Sequence, residues 1–156
     1  MGQDYIISLA IRDKETKNNK YIISIAYWRK AFGVTNAMQD IARKPIHFIS
    51  AVEDYLTVSS TSVLKDVEKV IISNLNNLDN EIWTYSGVFT PIEVRNTSVH
   101  NLANILAADE WITNPENNDA YDLMWEEGYD YIEVAFKDYL ENKDKYEIVI
   151  IFENSY

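Results

Sequence analysis

The chain has 156 residues, of which 47% are hydrophobic and 25% are charged. This length predicts a single domain over residues 1–156 with a core of its own. There is no cysteine, which excludes disulfides, thiolate zinc sites and cysteine nucleophiles. The N-terminus lacks the pattern of a signal peptide, and no apolar run reaches the roughly 20 residues of a membrane span. We therefore expect a cytoplasmic protein without membrane contact.

The net charge of −11 is concentrated at one end of the chain. Residues 1–108 contain 11 acidic and 11 basic residues, whereas residues 109–156 contain 14 acidic and 3 basic ones, so that 3 − 14 = −11. A strongly negative region repels phosphates and disfavours nucleic acid as a direct ligand. It favours a basic protein surface as the partner. The competing explanation is that the acidity only keeps the protein in solution.

The chain opens with a predicted strand. Residues 5–12 alternate in polarity, which places Ile7, Leu9 and Ile11 on one face. Residues 21–25 fit either a second strand that returns as a hairpin or the opening of a helix.

From about Ala26 the apolar residues fall at helical spacing, and this helix is expected to end before Pro45. Its inward-facing residues are Tyr27, Ala31, Val34, Met38 and Ile41. Residues 44–58 then predict a loop that holds a short strand.

The middle of the chain predicts further helices. The first follows residue 62, and its apolar stripe is Leu64, Val67, Ile71 and Leu75. Residues 82–95 combine β-forming residues with a glycine and a proline, which predicts a short strand or irregular structure. A helix is predicted over residues 101–111, and a buried final strand over residues 146–152. The first and last strands are expected to pair in a small, mainly antiparallel sheet packed against three to four helices, an α+β fold.

Residues 119–141 form the longest predicted helix, with Gly128 as a candidate break point. One side of this helix carries Asp119, Asp122, Glu126, Asp130 and Glu133. Like charges one turn apart destabilise a helix by about 0.2–0.5 kcal/mol per pair, so an almost unmixed acidic face favours a partner that neutralises it. Aromatic residues that anchor protein interfaces lie nearby. We add Trp111 and Tyr129 to the five acids as predicted partner-binding residues; the competing interpretation is core packing.

The residues required by familiar chemistries are missing. The two histidines, His47 and His100, have no metal-ligand spacing to each other or to acids. Four scattered glycines cannot form a phosphate-binding loop, and there is no Gly-x-Ser-x-Gly nucleophile elbow. We therefore expect no catalytic residue, no cofactor and no metal, and a protein that is not an enzyme.

The run Ala26-Tyr27-Trp28-Arg29-Lys30-Ala31 resembles a family of small phage and prophage proteins built around a helix that reads roughly Y-W-R-K-A-N-x-I-H. The ending IIFENSY is similar to the last strand of that family. This chain departs from the pattern with Phe32 in place of the asparagine and Thr35 in place of the histidine. The resemblance implies a mobile-element origin, and location in the host cell cytoplasm if the protein is phage-encoded, rather than an activity.

Together these observations predict a non-catalytic phage-type protein that binds and inhibits a host protein. The expected target is a nucleic-acid-binding defence factor, such as a CRISPR effector or another nuclease, whose cationic groove accepts the carboxylate row as a nucleic-acid mimic. One alternative is an immunity protein that neutralises a bacterial toxin. A second alternative is a small-molecule-binding protein or an enzyme with a pocket in the aromatic-rich C-terminal half.

Overall fold

The computed structural model describes residues 4–29, 53–58, 63–75, 91–114 and 129–155. Within these ranges the strands are β1 (Asp4–Asp13), β2 (Asn19–Trp28), β3 (Glu53–Val58) and β4 (Tyr146–Ser155). The helices are α1 (Val63–Leu75), α2 (Pro91–Thr113) and α3 (Tyr129–Glu141). An antiparallel sheet packed against helices is the predicted α+β fold, which is confirmed.

The four strands form one antiparallel sheet in the order β2-β1-β4-β3. The two ends of the chain meet in its centre, because β1 pairs with β4 from Asp4↔Ser155 to Asp13↔Tyr146. The prediction that the first and last strands share a sheet is therefore confirmed. The short strand expected within residues 44–58 is β3, at one edge of the sheet, while β2 occupies the other edge.

A tight turn joins β1 to β2. The Asp13 carboxylate accepts hydrogen bonds from the backbone N–H groups of Glu15 at 2.8 Å and Thr16 at 3.0 Å, and Lys17 adopts a φ of 60°. A short acidic side chain that bonds to the next backbone amides is a common way to start a turn. Residues 21–25 consequently form a returning strand and not the opening of a helix.

Strand β2 continues to Trp28, so the helix predicted from about Ala26 is wrong over residues 26–28. Pairing with β1 and, at Tyr27, hydrogen bonds to the side chain of Asn101 satisfy the backbone of these residues. A side-chain period compatible with a helix does not outweigh these bonds. The remainder of the predicted helix, residues 30–44, lies outside the described residues.

A β-bulge in β2 explains why its sequence imitates a helix. Ser8 pairs with Ser24 and Ile7 pairs with Ala26, which leaves Ile25 as an extra residue. Both Ile25 and Ala26 are buried, although strict alternation would place them on opposite faces. The bulge shifts the inward-facing positions by one residue and breaks the two-residue period by which a strand is recognised.

The main core lies between one face of the sheet and the three helices. Strand β1 contributes Tyr5, Ile7, Leu9 and Ile11. The helices contribute Val63, Leu64, Val67, Ile71, Ile105, Ala108, Trp111, Ile132, Ala135 and Phe136. The predicted inward face of β1 is confirmed, and so is the α1 stripe, in which Leu75 packs at the margin of the core. A smaller buried cluster of Ala10, Val149 and Ile151 occupies the opposite sheet face.

Helix α2 begins earlier than predicted, and helix α3 begins where the described residues resume after a gap. Helix α2 begins at Pro91, so the strand or irregular structure predicted for residues 82–95 is wrong over residues 91–95. Proline suits a first helical turn, because its φ is already helical and its missing N–H has no partner to lose there. Helix α3 covers the second half of the helix predicted over residues 119–141; Gly128 lies outside the described residues.

Candidate partner-binding surface

The predicted partner-binding residues are unequally covered by the structure. Asp119, Asp122 and Glu126 lie outside the described residues. Tyr129 and Asp130 are the first two residues of α3, where the structure describes the backbone but not their side chains. Glu133 lies one turn further along α3 with its side chain exposed, which is the position expected of a partner-binding residue.

Trp111 is a core residue, and its assignment to the partner-binding surface is corrected. Only 2% of its surface is exposed. Its indole stacks on Phe136 of α3 with ring centroids 3.6 Å apart and an interplanar angle of 16°, and the ring of Tyr139 lies at 5.6 Å. Burying a large aromatic surface between α2 and α3 stabilises the fold strongly, and it leaves no face of the ring for a partner.

Several acids of the C-terminal third are paired within the fold. The Asp138 carboxylate on α3 forms an ion pair with Lys20 of β2 at 2.7 Å. It also accepts hydrogen bonds from the Tyr21 hydroxyl at 2.8 Å and the Asn142 amide at 2.9 Å. The hydrogen bond from Lys20 is the main reason why the pKa of Asp138 is lowered. This group fastens α3 to the edge strand, and its charge is already neutralised.

Glu147 plays the same role within the sheet. Its Oε1 atom accepts from Lys17 at 2.9 Å and from Arg12 at 2.7 Å, so a carboxylate of β4 bridges the end of β1 and the turn after it. These bonds, with that from Lys17 the largest contribution, hold the pKa of Glu147 below its usual value.

A third internal pair joins two helices. Lys65 of α1 contacts the Asp109 carboxylate of α2 at 2.8 Å and Glu68 at 3.4 Å. The acids Asp109, Asp138 and Glu147 all belong to the acidic third, and their basic partners all belong to the neutral first 108 residues. These ion pairs could not be predicted from the sequence, because each pair joins residues that are far apart along the chain.

The acidic residues of this region are also concentrated in one part of the sequence. No lysine or arginine occurs between Arg95 and Lys137, whereas nine acids do. They are Asp109, Glu110, Glu116, Asp119, Asp122, Glu126, Glu127, Asp130 and Glu133. Seven of the nine fall after residue 115, and among the described side chains Glu133 forms no ion pair. We call residues 116–133 the acidic stretch; it leads directly into the exposed side of α3.

A second group of polar side chains, on the inner side of α2, supports the edge of the sheet. The Asn101 amide accepts from the backbone N–H of Tyr27 at 3.1 Å and donates to its carbonyl at 2.9 Å. One turn earlier, Ser98 accepts from the Trp28 indole N–H at 3.3 Å. Asn101 thus occupies the place that a neighbouring strand would take beside β2.

Two buried polar side-chain atoms have no hydrogen-bond partner among the residues that the structure describes. They are the Tyr5 hydroxyl and the side-chain amide nitrogen of Asn104. Desolvation raises the pKa of Tyr5 far above its ordinary value, so the phenol is neutral and does not act as a base near neutral pH. The sequence does not indicate that the Tyr5 hydroxyl lacks a partner, since Tyr5 occupies an ordinary inward position of β1.

The described ranges contain no group of three or more acidic or histidine side chains arranged to hold a metal ion. His100 is an exposed residue of α2, and His47 lies outside the described residues. None of the helices in the described ranges is both long and apolar enough to cross a membrane.

Comparison with known proteins adds no relative. No family model, no curated protein and no solved structure matches this chain.

Proposed function

We propose that this protein is a non-catalytic binding protein whose acidic stretch, residues 116–133, docks onto a basic surface of another protein. The observation that carries the proposal is the division of its acids into two classes. Asp109, Asp138 and Glu147 are each neutralised by a base of the same fold. The acidic stretch contains seven acids and no base, and Glu133, whose side chain the structure describes, is exposed without an ion pair among the described residues.

Electrostatics supports a protein partner over a nucleic acid. Seven carboxylates within 18 residues repel phosphate groups. The same density of negative charge raises the rate of encounter with a cationic groove and opposes binding to acidic proteins. A nucleic-acid-binding protein offers such a groove, and the row of carboxylates can take the place of the phosphate backbone. The proposed target is therefore a host nucleic-acid-binding defence protein, which the protein inhibits by occupying its groove.

A charge-reversal experiment tests this function. The protein is immobilised and exposed to host lysate, and retained proteins are identified by mass spectrometry. The test variant carries Asp122→Lys, Glu126→Lys and Asp130→Lys. The control carries the same three-fold reversal at exposed acids elsewhere: Glu15→Lys, Asp66→Lys and Asp144→Lys.

The proposal predicts that the wild type and the control retain the same nucleic-acid-binding protein and that the test variant loses it. Retention should also weaken steeply between 50 and 300 mM salt, because the screening length falls from about 14 Å to about 6 Å over this range. Equal recovery of one partner by all three proteins would exclude a role for the acidic stretch. Recovery of a partner that lacks any basic surface would exclude the proposed target class.

A further inference from the structure

Strand β2 forms one edge of the sheet, so alternate residues direct their backbone N–H and carbonyl groups away from β1 and toward the outside. The bulge at Ile25 shifts this alternation by one residue. The outward-directed positions along the middle of β2 are consequently Ile22, Ser24 and Tyr27. Unpaired backbone groups of this kind form a template on which a strand of another molecule can pair.

The sequence of β2 favours such pairing. Residues 21–28 include no charged residue, no proline and no glycine, and six of the eight are isoleucine, tyrosine or tryptophan. Segments of this composition pair readily with copies of themselves. The usual protections of an edge strand are a charged side chain, a proline or a very short length. Strand β2 has ten residues, and its one charged residue, Lys20, lies near its start, so the protection has to come from elsewhere in the fold.

Two helix side chains occupy outward positions at the two ends of this edge. The Tyr131 hydroxyl of α3 accepts a hydrogen bond from the Ile22 N–H at 3.0 Å. The Asn101 amide of α2 bonds to both the N–H and the carbonyl of Tyr27. A further strand would lie about 4.8 Å from β2, and these side chains fill that space at the first and last of the three outward positions. We call Tyr131 and Asn101 the edge caps.

Tyr131 is fixed in its position by neighbouring side chains. Its ring meets the ring of Tyr21 edge-on, with centroids 5.8 Å apart and an interplanar angle of 69°. The Tyr21 hydroxyl in turn donates to Asp138 at 2.8 Å, and Asp138 forms the ion pair with Lys20. The cap at Ile22 therefore belongs to the contact that holds α3 against the edge strand, and it cannot leave the edge without loss of these interactions.

The stretch left open between the edge caps is short and centres on Ser24. No described residue bonds to the outward N–H or carbonyl of Ser24. A strand that bonds to this single position gains too few hydrogen bonds to remain paired, since even a complete two-stranded pair is marginally stable in water. Removal of the cap at Ile22 would instead free residues 20–24, a run of ordinary strand length.

We propose that the edge caps close β2 against pairing with β2 of a second copy of this chain. Without the cap at Ile22, two copies pair these strands antiparallel about a twofold axis, because a surface that is complementary to itself forms a symmetric dimer. The inference concerns a surface other than the acidic stretch and does not depend on the proposed function.

The experiment opens the edge with Tyr131→Ala and uses Tyr139→Ala as the matched control. Both tyrosines belong to α3, but the ring of Tyr139 packs on Trp111 at 5.6 Å, and no bond described in the structure joins its side chain to β2. The control therefore destabilises the fold without opening the edge. Sedimentation velocity of the full-length proteins measures the dissociation constant of self-association, and circular dichroism verifies folding. Tyr131→Leu, which is too short to cap Ile22, replaces the alanine variant if that variant does not fold.

A second substitution tests where the copies pair. Ser24→Pro, added to Tyr131→Ala, removes an outward N–H and no bond to β1, a change that an edge strand tolerates. Hydrogen exchange followed by mass spectrometry locates the pairing independently, because amides that gain a partner exchange more slowly.

The proposal predicts that Tyr131→Ala self-associates at least tenfold more tightly than the wild type, and that Tyr139→Ala stays within twofold of it. Ser24→Pro should reverse the gain, and exchange of residues 20–28 in Tyr131→Ala should slow as protein concentration rises. If folded Tyr131→Ala remains as monomeric as the wild type, the edge caps have no such role. If Tyr139→Ala associates equally, or if association of Tyr131→Ala survives Ser24→Pro, the copies meet through destabilisation or another surface and the proposal is wrong.

Discussion

The side chain of Asn101 completes the edge of the sheet, and its loss should cost far more than the loss of a neighbouring asparagine. Asn101 and Asn104 both lie buried on the inner side of α2. Asn101 makes two hydrogen bonds to the backbone of Tyr27, at 3.1 and 2.9 Å. The amide nitrogen of Asn104 makes none with the described residues. The two positions therefore differ mainly in whether the amide is satisfied.

Replacing each residue by alanine isolates that difference. Both substitutions remove the same volume and gain the same helix propensity, so these contributions largely cancel in the comparison. Asn101→Ala also deletes two hydrogen bonds and leaves the Tyr27 N–H and carbonyl poorly satisfied, at a cost of roughly 1–2 kcal/mol for each group. We expect Asn101→Ala to lower the free energy of unfolding by about 2–4 kcal/mol, and Asn104→Ala to change it by less than about 1 kcal/mol.

Urea unfolding followed by circular dichroism measures both free energies, with equal slopes as the check that the denatured states are comparable. If Asn101→Ala and Asn104→Ala differ by less than about 0.5 kcal/mol, a value below that of one ordinary hydrogen bond, the edge-strand role of Asn101 is refuted.

Three further substitutions probe the core and its ion pairs. Tyr5→Phe removes a buried hydroxyl without a described partner and should stabilise the protein by about 1 kcal/mol; destabilisation in urea unfolding would reveal a partner for that hydroxyl. Trp111→Ala should lower the free energy of unfolding by about 3–5 kcal/mol because it opens the α2–α3 contact. An unchanged thermal midpoint would show that Trp111 is not a core residue. The folded-state pKa of Glu147 lies below its usual value of 4.5, so its pairing with Arg12 and Lys17 stabilises the protein above that pH and is lost as the pH falls through the lowered value. The difference in free energy of unfolding between the wild type and Glu147→Gln should accordingly be about 0.5–1 kcal/mol at pH 7 and disappear near pH 2; a difference that grows on acidification would contradict the pairing.

The parts of the fold that follow a simple period could be predicted from the sequence. The inward face of β1 alternates without interruption, and the stripe of α1 keeps helical spacing. The run of β-branched residues in β4 marks a strand buried on both faces, because only a central strand has no polar side to show. Each of these signals is local, so the identity of neighbouring elements does not alter it.

The parts that were missed depend on contacts between distant residues. The bulge at Ile25 interrupts the two-residue period of β2, so the end of this strand cannot be recognised from the sequence. The side chain that bonds to the backbone at this end is Asn101, 74 residues away from Tyr27. The candidate site shows the same limitation. Acidic residues can be counted in the sequence, but only the fold reveals that Asp138 pairs with Lys20, while Glu133 has no such partner among the described residues.

The central claim is that the acids of the C-terminal third form two classes. One class stabilises the fold through ion pairs, and the other binds a partner. Thermal unfolding tests this claim most directly. Two triple variants each remove three negative charges: Asp109→Asn, Asp138→Asn and Glu147→Gln in one, and Asp122→Asn, Glu126→Gln and Asp130→Asn in the other. The first should lower the thermal midpoint by several degrees, because it breaks the ion pairs with Arg12, Lys17, Lys20 and Lys65. The second should leave the midpoint unchanged or raise it, because it relieves repulsion between like charges. A midpoint that falls as far in the second variant as in the first would contradict the claim, because those acids would then be serving the fold.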